Sequence, residues 1–344
     1  MFIGNKEIGK GRTYIIAELS CNHSQNIDKA LELINEAYKA GADAIKLQTY
    51  KPDTITLDCD NDYFIIKDMP PWSNMKLYDL YKKTYTPWEW HSKLKQSADD
   101  LGMDFFSSPF DTTAVDFLEN LNVPCYKIAS FEMTDYVLLE RVAKTKKPII
   151  ISTGIATYDE IKESIEFLEK NGAKDIIILK CTSAYPTELK DANLVTIKDM
   201  QDKFNYPVGL SDHTKGTIAA ITSVALGAVV IEKHFKLEGD NTSEDAEFSL
   251  TPSEFKEMVD KVRDTERALG NVKYFTDIQK GSRNLRRSLF VVDNIKEGEL
   301  LTKDNIRSIR PAYGLHTKYY HKILGRKAKK YISKGTPLNL DLIC

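Results

Sequence analysis

A chain of 344 residues with 42% hydrophobic residues, 28% charged residues and a formal net charge of −2 reads as an ordinary soluble protein able to bury a large core. The balanced charge, without a Lys/Arg stripe, gives a nucleic-acid partner no electrostatic footprint, and no stretch approaches the roughly 20 apolar residues of a membrane span. Five cysteines (Cys21, Cys59, Cys125, Cys181, Cys344), odd in number and without paired spacing, suggest neither a disulfide framework nor a cysteine-based zinc site.

Met1 to Lys10 is polar and resembles no secretion signal, so a reducing cytoplasm is expected, where the sequons at Asn22 and Asn241 carry no glycan. From about residue 13, short β-rich runs alternate with helical stretches. The runs are Tyr14 to Leu19, Ala44 to Gln48, Met103 to Ser107, Cys125 to Ala129, Pro148 to Ser152, Ile176 to Lys180, Pro207 to Leu210 and Ala228 to Lys233. Apolar residues at helical spacing fill the intervals, as in Asp28 to Ala40, Thr157 to Lys170 and Pro252 to Leu269. Eight such units in about 270 residues predict an α/β fold, the (β/α)8 or TIM barrel. A doubly wound open sheet is the competitor, but the turn after the first run, Ser20-Cys21-Asn22-His23-Ser24, lacks the glycines of a dinucleotide site. Asn61 to Thr86 interrupts the rhythm with an aromatic-rich insertion at the catalytic mouth, read as a lid, an interface or plain surface elaboration. After Gly270 the sequence turns Lys- and Arg-rich, and from Ser288 short runs separated by Gly and Pro turns suggest a compact, loop-rich domain of about sixty residues. The expected division is a barrel over residues 1–280 and a linker plus small domain over 281–344.

A barrel carries its chemistry at the carboxyl ends of its strands. Reading those ends in order gives Glu18; Lys46 and Gln48; Ser107 and Ser108; Lys127, Ser130 and Glu132; Ser152 and Thr153; Thr182, Ser183 and Tyr185; Ser211 and His213; Glu232 and His234. His213 and His234 close successive apolar runs, a placement that holds one divalent cation between two imidazoles and leaves other positions for water and substrate. Two lysines and several hydroxyls at the same mouth make an anion cradle suited to a phosphate and a carboxylate. His91, His316 and His321 read as packing or surface histidines, His23 stands evenly between roles, and Cys181 reads as a small buried side chain.

These strand ends also carry a resemblance. Ile-Ala-Glu-Leu-Ser-Cys-Asn-His (16–23), Gly-Ala-Asp-Ala-Ile-Lys-Leu-Gln-Thr-Tyr (41–50), Ser-Ser-Pro-Phe-Asp (107–111), Tyr-Lys-Ile-Ala-Ser-Phe-Glu (126–132), Lys-Cys-Thr-Ser-Ala-Tyr-Pro-Thr (180–187), Gly-Leu-Ser-Asp-His (209–213) and Ile-Glu-Lys-His-Phe (231–235) resemble the sialic acid synthase family. The terminal module, with Arg-Arg-Ser-Leu, Ile-Lys-Glu-Gly-Glu-Leu and Ile-Arg-Pro, resembles the antifreeze-like (SAF) domain that these synthases carry. The segment from Phe64 to Ser92 and Ser243-Glu244-Asp245 are most similar to the pseudaminic acid synthase branch; the N-acetylneuraminate branch usually has Gly-Pro-Asp there and commonly Asn at the place of Ser183.

The resemblance implies a metal-dependent condensation of phosphoenolpyruvate with the open-chain aldehyde of an N-acetylated amino sugar, releasing phosphate. It implies Mn2+, or alternatively Mg2+ or Co2+, on His213 and His234. Lys46, Lys127, Ser130, Ser152, Ser183 and Ser211 would bind phosphoenolpyruvate, while Glu18 and Glu132 would organise water and transfer protons. Gln48, Tyr185 and Asp245 would face the sugar, with Trp72, Tyr78 and Tyr81 as an apolar wall, and Arg310 would reach the N-acetyl group from the small domain. The resemblance also implies a domain-swapped homodimer, and neither nucleic acid nor membrane is an expected partner. N-acetylneuraminate and legionaminate synthases are the nearest alternatives. More distant are a class I aldolase using Lys46 or Lys127 as a Schiff base and a carbohydrate-binding protein with an inert barrel.

Overall fold

The computed structural model describes residues 1–67 and 73–344. Eight strands, β1 (Tyr14–Glu18), β2 (Ala44–Thr49), β3 (Asp104–Pro109), β4 (Tyr126–Ile128), β5 (Ile149–Ser152), β6 (Ile176–Cys181), β7 (Val208–Asp212) and β8 (Val230–His234), close into a parallel barrel. Each falls on one of the eight predicted runs, and the fold is the expected TIM barrel. Ile149 to Ile151 and Ile176 to Ile178, all fully buried, are the apolar runs of strands covered on both faces. Closure joins the last strand to the first, with His234 in register with Glu18. Glu18 is in turn in register with Lys46 on β2.

Helices between the strands start where the sequence supplies caps. Asn26, Asp111 and Asp135 accept from first-turn amides, and Thr157 with Glu160 and Thr251 with Glu254 form reciprocal capping boxes. A short N-terminal hairpin, Phe2–Ile3 with Lys6–Glu7, adds Ile3 and Ile8 to the barrel core, an element that polar Met1 to Lys10 gave no reason to expect.

The chain divides into two compact units, Met1–Gly270 and Asn271–Cys344. The break falls ten residues before the sequence-based limit of 280, at the glycine that ends the Pro252–Leu269 helix with φ of +48°. The second unit holds strands β9 (Ser288–Val291) and β10 (Ile306–Ile309), paired antiparallel, and its own small core of Leu289, Val291, Ile295, Leu301, Ile306 and Leu338 among others. Among the described residues no helix is long and apolar enough to cross a membrane.

Candidate active site

A cavity of about 440 Å³ opens at the carboxyl ends of the barrel strands. Lys46, Gln48, Lys127, Ser130, Glu132, Ser152, Tyr185, Ser211, His213, His234 and Asp245 all line it, so side chains from six strand exits and the loop after β8 converge on one space. Glu18 lies just beneath this floor, fully buried and ion-paired with Lys46. Ser183 is not among the residues that line the cavity; its Oγ lies 4.0 Å from Cys181 Sγ. Arg310 is exposed on the second unit immediately after β10.

The floor is a small ionic lattice. Lys46 and Lys127, both nearly inaccessible, each place Nζ 3.6 Å from Glu232 Oε1. Ser211 Oγ donates to that oxygen at 3.3 Å, and Lys46 Nζ reaches Ser108 Oγ at 3.4 Å. Burial penalises every charge here, and the balance differs at each group. Burial pushes the Glu18 carboxyl up to about 7 despite Lys46. Glu232 stays below the usual carboxylate range because Lys127 and Lys46 outweigh its burial. Lys46 is raised because Glu18 and Glu232 outweigh burial, whereas burial wins at Lys127 and lowers it. Lys46 and Lys127 line the cavity together with the hydroxyls of Ser130, Ser152 and Ser211, a donor-rich floor suited to an anion. Ser152 Oγ is buried without a hydrogen-bond partner, a donor the folded chain leaves unspent.

His213 and His234 leave adjacent strands that the buried Lys233–Asp212 ion pair, 2.8 Å, locks in register. Their ring centroids are 5.4 Å apart, and Phe248 packs edge-on against both. Burial and neighbouring cations hold the His234 imidazole well below its ordinary pKa, and its Nδ1 is buried without a hydrogen-bond partner, 3.5 Å from Asp245 Oδ2. A neutral, unpartnered imidazole beside a second one fits a divalent cation. Among the described residues no group of three or more His, Cys, Asp or Glu is arranged as a metal cage. The donor set is two imidazoles, the open kind that leaves positions for water and substrate.

Glu132 lines the cavity with Oε2 buried and unpartnered, and burial pushes its carboxyl up to about 7. Cys181, read from sequence as a packing residue, is buried with Sγ 3.7 Å from His213 Nδ1, and although burial opposes ionisation the His213 charge brings the thiol down to about 7. Gly154 gives a reason for its own identity. A Cβ there would stand 2.1 Å from Ser183 Oγ and 2.7 Å from Ser130 Oγ, so only glycine lets the hydroxyls of β4 and β6 approach. Gly154, Phe248 and Ser20 escaped the strand-end reading, although Ser20 lies in the motif that follows the first run.

Opposite the polar floor stands an apolar wall made by the insertion. Its helix, Leu77–Thr84, turns Leu77, Leu80 and Tyr81 toward the cavity, joined by Ile55 and Ile66. Tyr50, just past β2, ties it down through edge-on contacts with Tyr81 and Phe110, centroids 5.5 and 5.2 Å away, and a 2.9 Å hydrogen bond to Thr84 Oγ1. The expected wall of Trp72, Tyr78 and Tyr81 is corrected in part: Tyr81 lines the cavity, Tyr78 instead donates its hydroxyl to Asp53 at 3.1 Å, and Trp72 lies outside the described residues. His23 and His91 are packing residues, the first bonded to Thr86 Oγ1 at 3.0 Å and the second to Thr49 Oγ1 at 2.8 Å.

The NeuB family model matches residues 33–274 and the SAF domain model matches 286–343. A pseudaminic acid synthase of Campylobacter jejuni subsp. jejuni serotype O:23/36 is 48% identical over 340 residues, covering 98% of both chains. The pseudaminic acid synthase of Helicobacter pylori is 44% identical over 329 residues, 95% of this chain and 96% of that one. Among solved structures, the N-acetylneuraminic acid synthetase of Leptospira borgpetersenii, in complex with citrate, superposes with a TM-score of 0.72 at 30% identity, covering 82% of this chain and 94% of that one.

Proposed function

The chain belongs to the NeuB family, the sialic acid synthases, and from that premise we propose that it is a pseudaminic acid synthase joining phosphoenolpyruvate to open-chain 2,4-diacetamido-2,4,6-trideoxy-altrose. The observation that carries the reading is a single cavity with a cationic, hydroxyl-rich floor on one side and an apolar wall on the other. The floor suits the carboxylate and phosphate of phosphoenolpyruvate, and the wall suits a sugar with a methyl group where N-acetylmannosamine has a hydroxyl. The two synthases at 48% and 44% identity support the same sugar.

In the reaction, C3 of phosphoenolpyruvate forms a bond to the aldehyde carbon and the aldehyde oxygen takes a proton. Water adds at C2, and the C2–O bond to phosphate breaks to leave the 2-keto acid. Lys46 and Lys127 anchor the anionic groups, with Ser130, Ser152, Ser183 and Ser211 as hydroxyl donors around them. Glu132, poised near neutrality beside the cavity, carries the proton; Glu18, below the floor, holds Lys46 in place. Gln48, Tyr185 and Asp245 orient the sugar, and Arg310 of the second unit is assigned to its N-acetyl group. His213 and His234 would hold a divalent cation, Mn2+ by preference, which supplies Lewis-acid polarisation of the aldehyde. The assembly is a homodimer with exchanged C-terminal units, working in the cytoplasm.

Phosphate release is the test, measured with phosphoenolpyruvate and a panel of amino sugars, with and without a chelator. The expected outcome is preferential turnover of the diacetamido trideoxy sugar, lost on chelation and restored by Mn2+. A dominant N-acetylneuraminate product overturns the sugar assignment, and full activity in chelator overturns the metal. Lys127 is lowered as a Schiff-base lysine would be, but it is engaged with Glu232 and the Ile128 carbonyl at 3.2 Å. Borohydride with pyruvate is therefore expected to leave the protein mass unchanged.

A further inference from the structure

The turn leaving β1 holds Ser20 at φ of +43°, a left-handed conformation that side chains other than glycine rarely adopt. Ser20 is only 3% exposed. Its backbone N–H donates to Glu18 Oε1 at 3.0 Å, a contact that a glycine would make equally well. What serine adds is a hydroxyl. Gln48 Nε2 lies 3.1 Å from Ser20 Oγ, and Ser20 Oγ donates in a short hydrogen bond to Asp245 Oδ2.

The direction of this chain of bonds follows from its first member. The Gln48 amide nitrogen can only donate, so Ser20 Oγ accepts from it and turns its own single proton to Asp245 Oδ2. That fixes the Gln48 amide with its nitrogen toward Ser20 and leaves its Oε1 as an acceptor. Asp245 Oδ2 accepts from Ser20 and lies 3.5 Å from His234 Nδ1, so the hydroxyl fixes how this carboxyl is turned. The hydroxyl therefore sets the polarity of two side chains from different segments that both line the cavity.

We propose that Ser20 is a specificity-determining positioning residue, acting through Gln48 and Asp245 to present paired acceptors to the amide N–H and hydroxyl donors of an N-acylated amino sugar. This rests on reading Gln48 and Asp245 as sugar contacts. Backbone strain at Ser20 is tolerated for the sake of the hydroxyl.

Ser20→Gly and Ser20→Ala separate the hydroxyl from the backbone. Both remove Oγ, but only glycine relieves the left-handed strain. Steady-state kinetics on the full chain are expected to show the KM for sugar raised about tenfold in both variants, the scale of one hydrogen bond to a charged group. The KM for phosphoenolpyruvate is expected to stay within about twofold, and Ser20→Gly is expected to melt at a higher temperature than Ser20→Ala. A wild-type sugar KM in Ser20→Gly overturns the proposal, as does a parallel rise in both KM values, which would place the effect on the anion floor. The wild-type enzyme, assayed alongside, keeps the two readings apart: if it ignores the diacetamido sugar, the substrate assignment falls. The same KM comparison is then made with whichever sugar it does consume, where an unchanged KM again overturns the role of Ser20.

Discussion

Glu132 stands where β4 gives way to its loop, and its ordinary carboxyl value of 4.5 is pushed up to about 7 by burial. The folded chain thus binds this proton more tightly than the unfolded chain. Stability from this group is fully present below about pH 4.5 and is lost as pH rises through 7. Glutamine copies the neutral form at every pH. Glu132→Gln is therefore expected to raise the melting temperature at pH 8.5 by about 2 to 4 °C over wild type, with little change at pH 4.5. Turnover should fall by about 100-fold or more, as befits a lost proton carrier. Equal destabilisation at both pH values would instead indicate lost packing. At this scale the strand-end rule found Lys46, Lys127, Glu132 and both cavity histidines, because a barrel converts position along a run directly into position in space. Ser20 was illegible for the opposite reason: nothing in Leu-Ser-Cys announces a left-handed serine whose hydroxyl reaches a residue 225 positions away.

The insertion helix Leu77–Thr84 shows what periodicity can and cannot supply. Counting aromatic residues selected Trp72, Tyr78 and Tyr81 for the wall, whereas Leu77, Leu80, Tyr81 and Thr84 follow the i, i+3, i+4, i+7 spacing of a single helix face and all line the cavity. Tyr78 lies off that stripe and turns to Asp53. The eight barrel strands were legible because each is a short, largely buried run, while the N-terminal hairpin was hidden by its polar composition. Leu80→Ser tests the wall. Removing its apolar contact should raise the KM for the 6-deoxy sugar about tenfold and narrow the preference over N-acetylmannosamine, the scale set by burying one aliphatic side chain. The check is a competition with both sugars at equal concentration, followed by mass analysis of the keto acids. An unchanged product ratio would move sugar discrimination away from this helix.

For the whole molecule, Asn271–Cys344 has its own core, and the proposed exchange of C-terminal units between two chains carries a test. Inactive His213→Ala chains mixed with inactive Arg310→Ala chains are then expected to regain up to about a quarter of wild-type activity once subunits have exchanged, since random pairing leaves half the dimers mixed and each mixed dimer one intact site. Exchange shown by mass without any recovery would place both residues in the same chain's site. The register of His234 against Glu18 has a further consequence, in time rather than space. The strand bearing Glu18 is synthesised some 200 residues before its partner, a wait of roughly 10 to 40 s at common elongation rates. Until then its outer edge offers unpaired amides and carbonyls to any extended segment that drifts past. The seam that brings the two imidazoles beside the first glutamate is thus the last to be stitched, and a nascent chain stalled short of it is a body for chaperones to shield before it can be an enzyme.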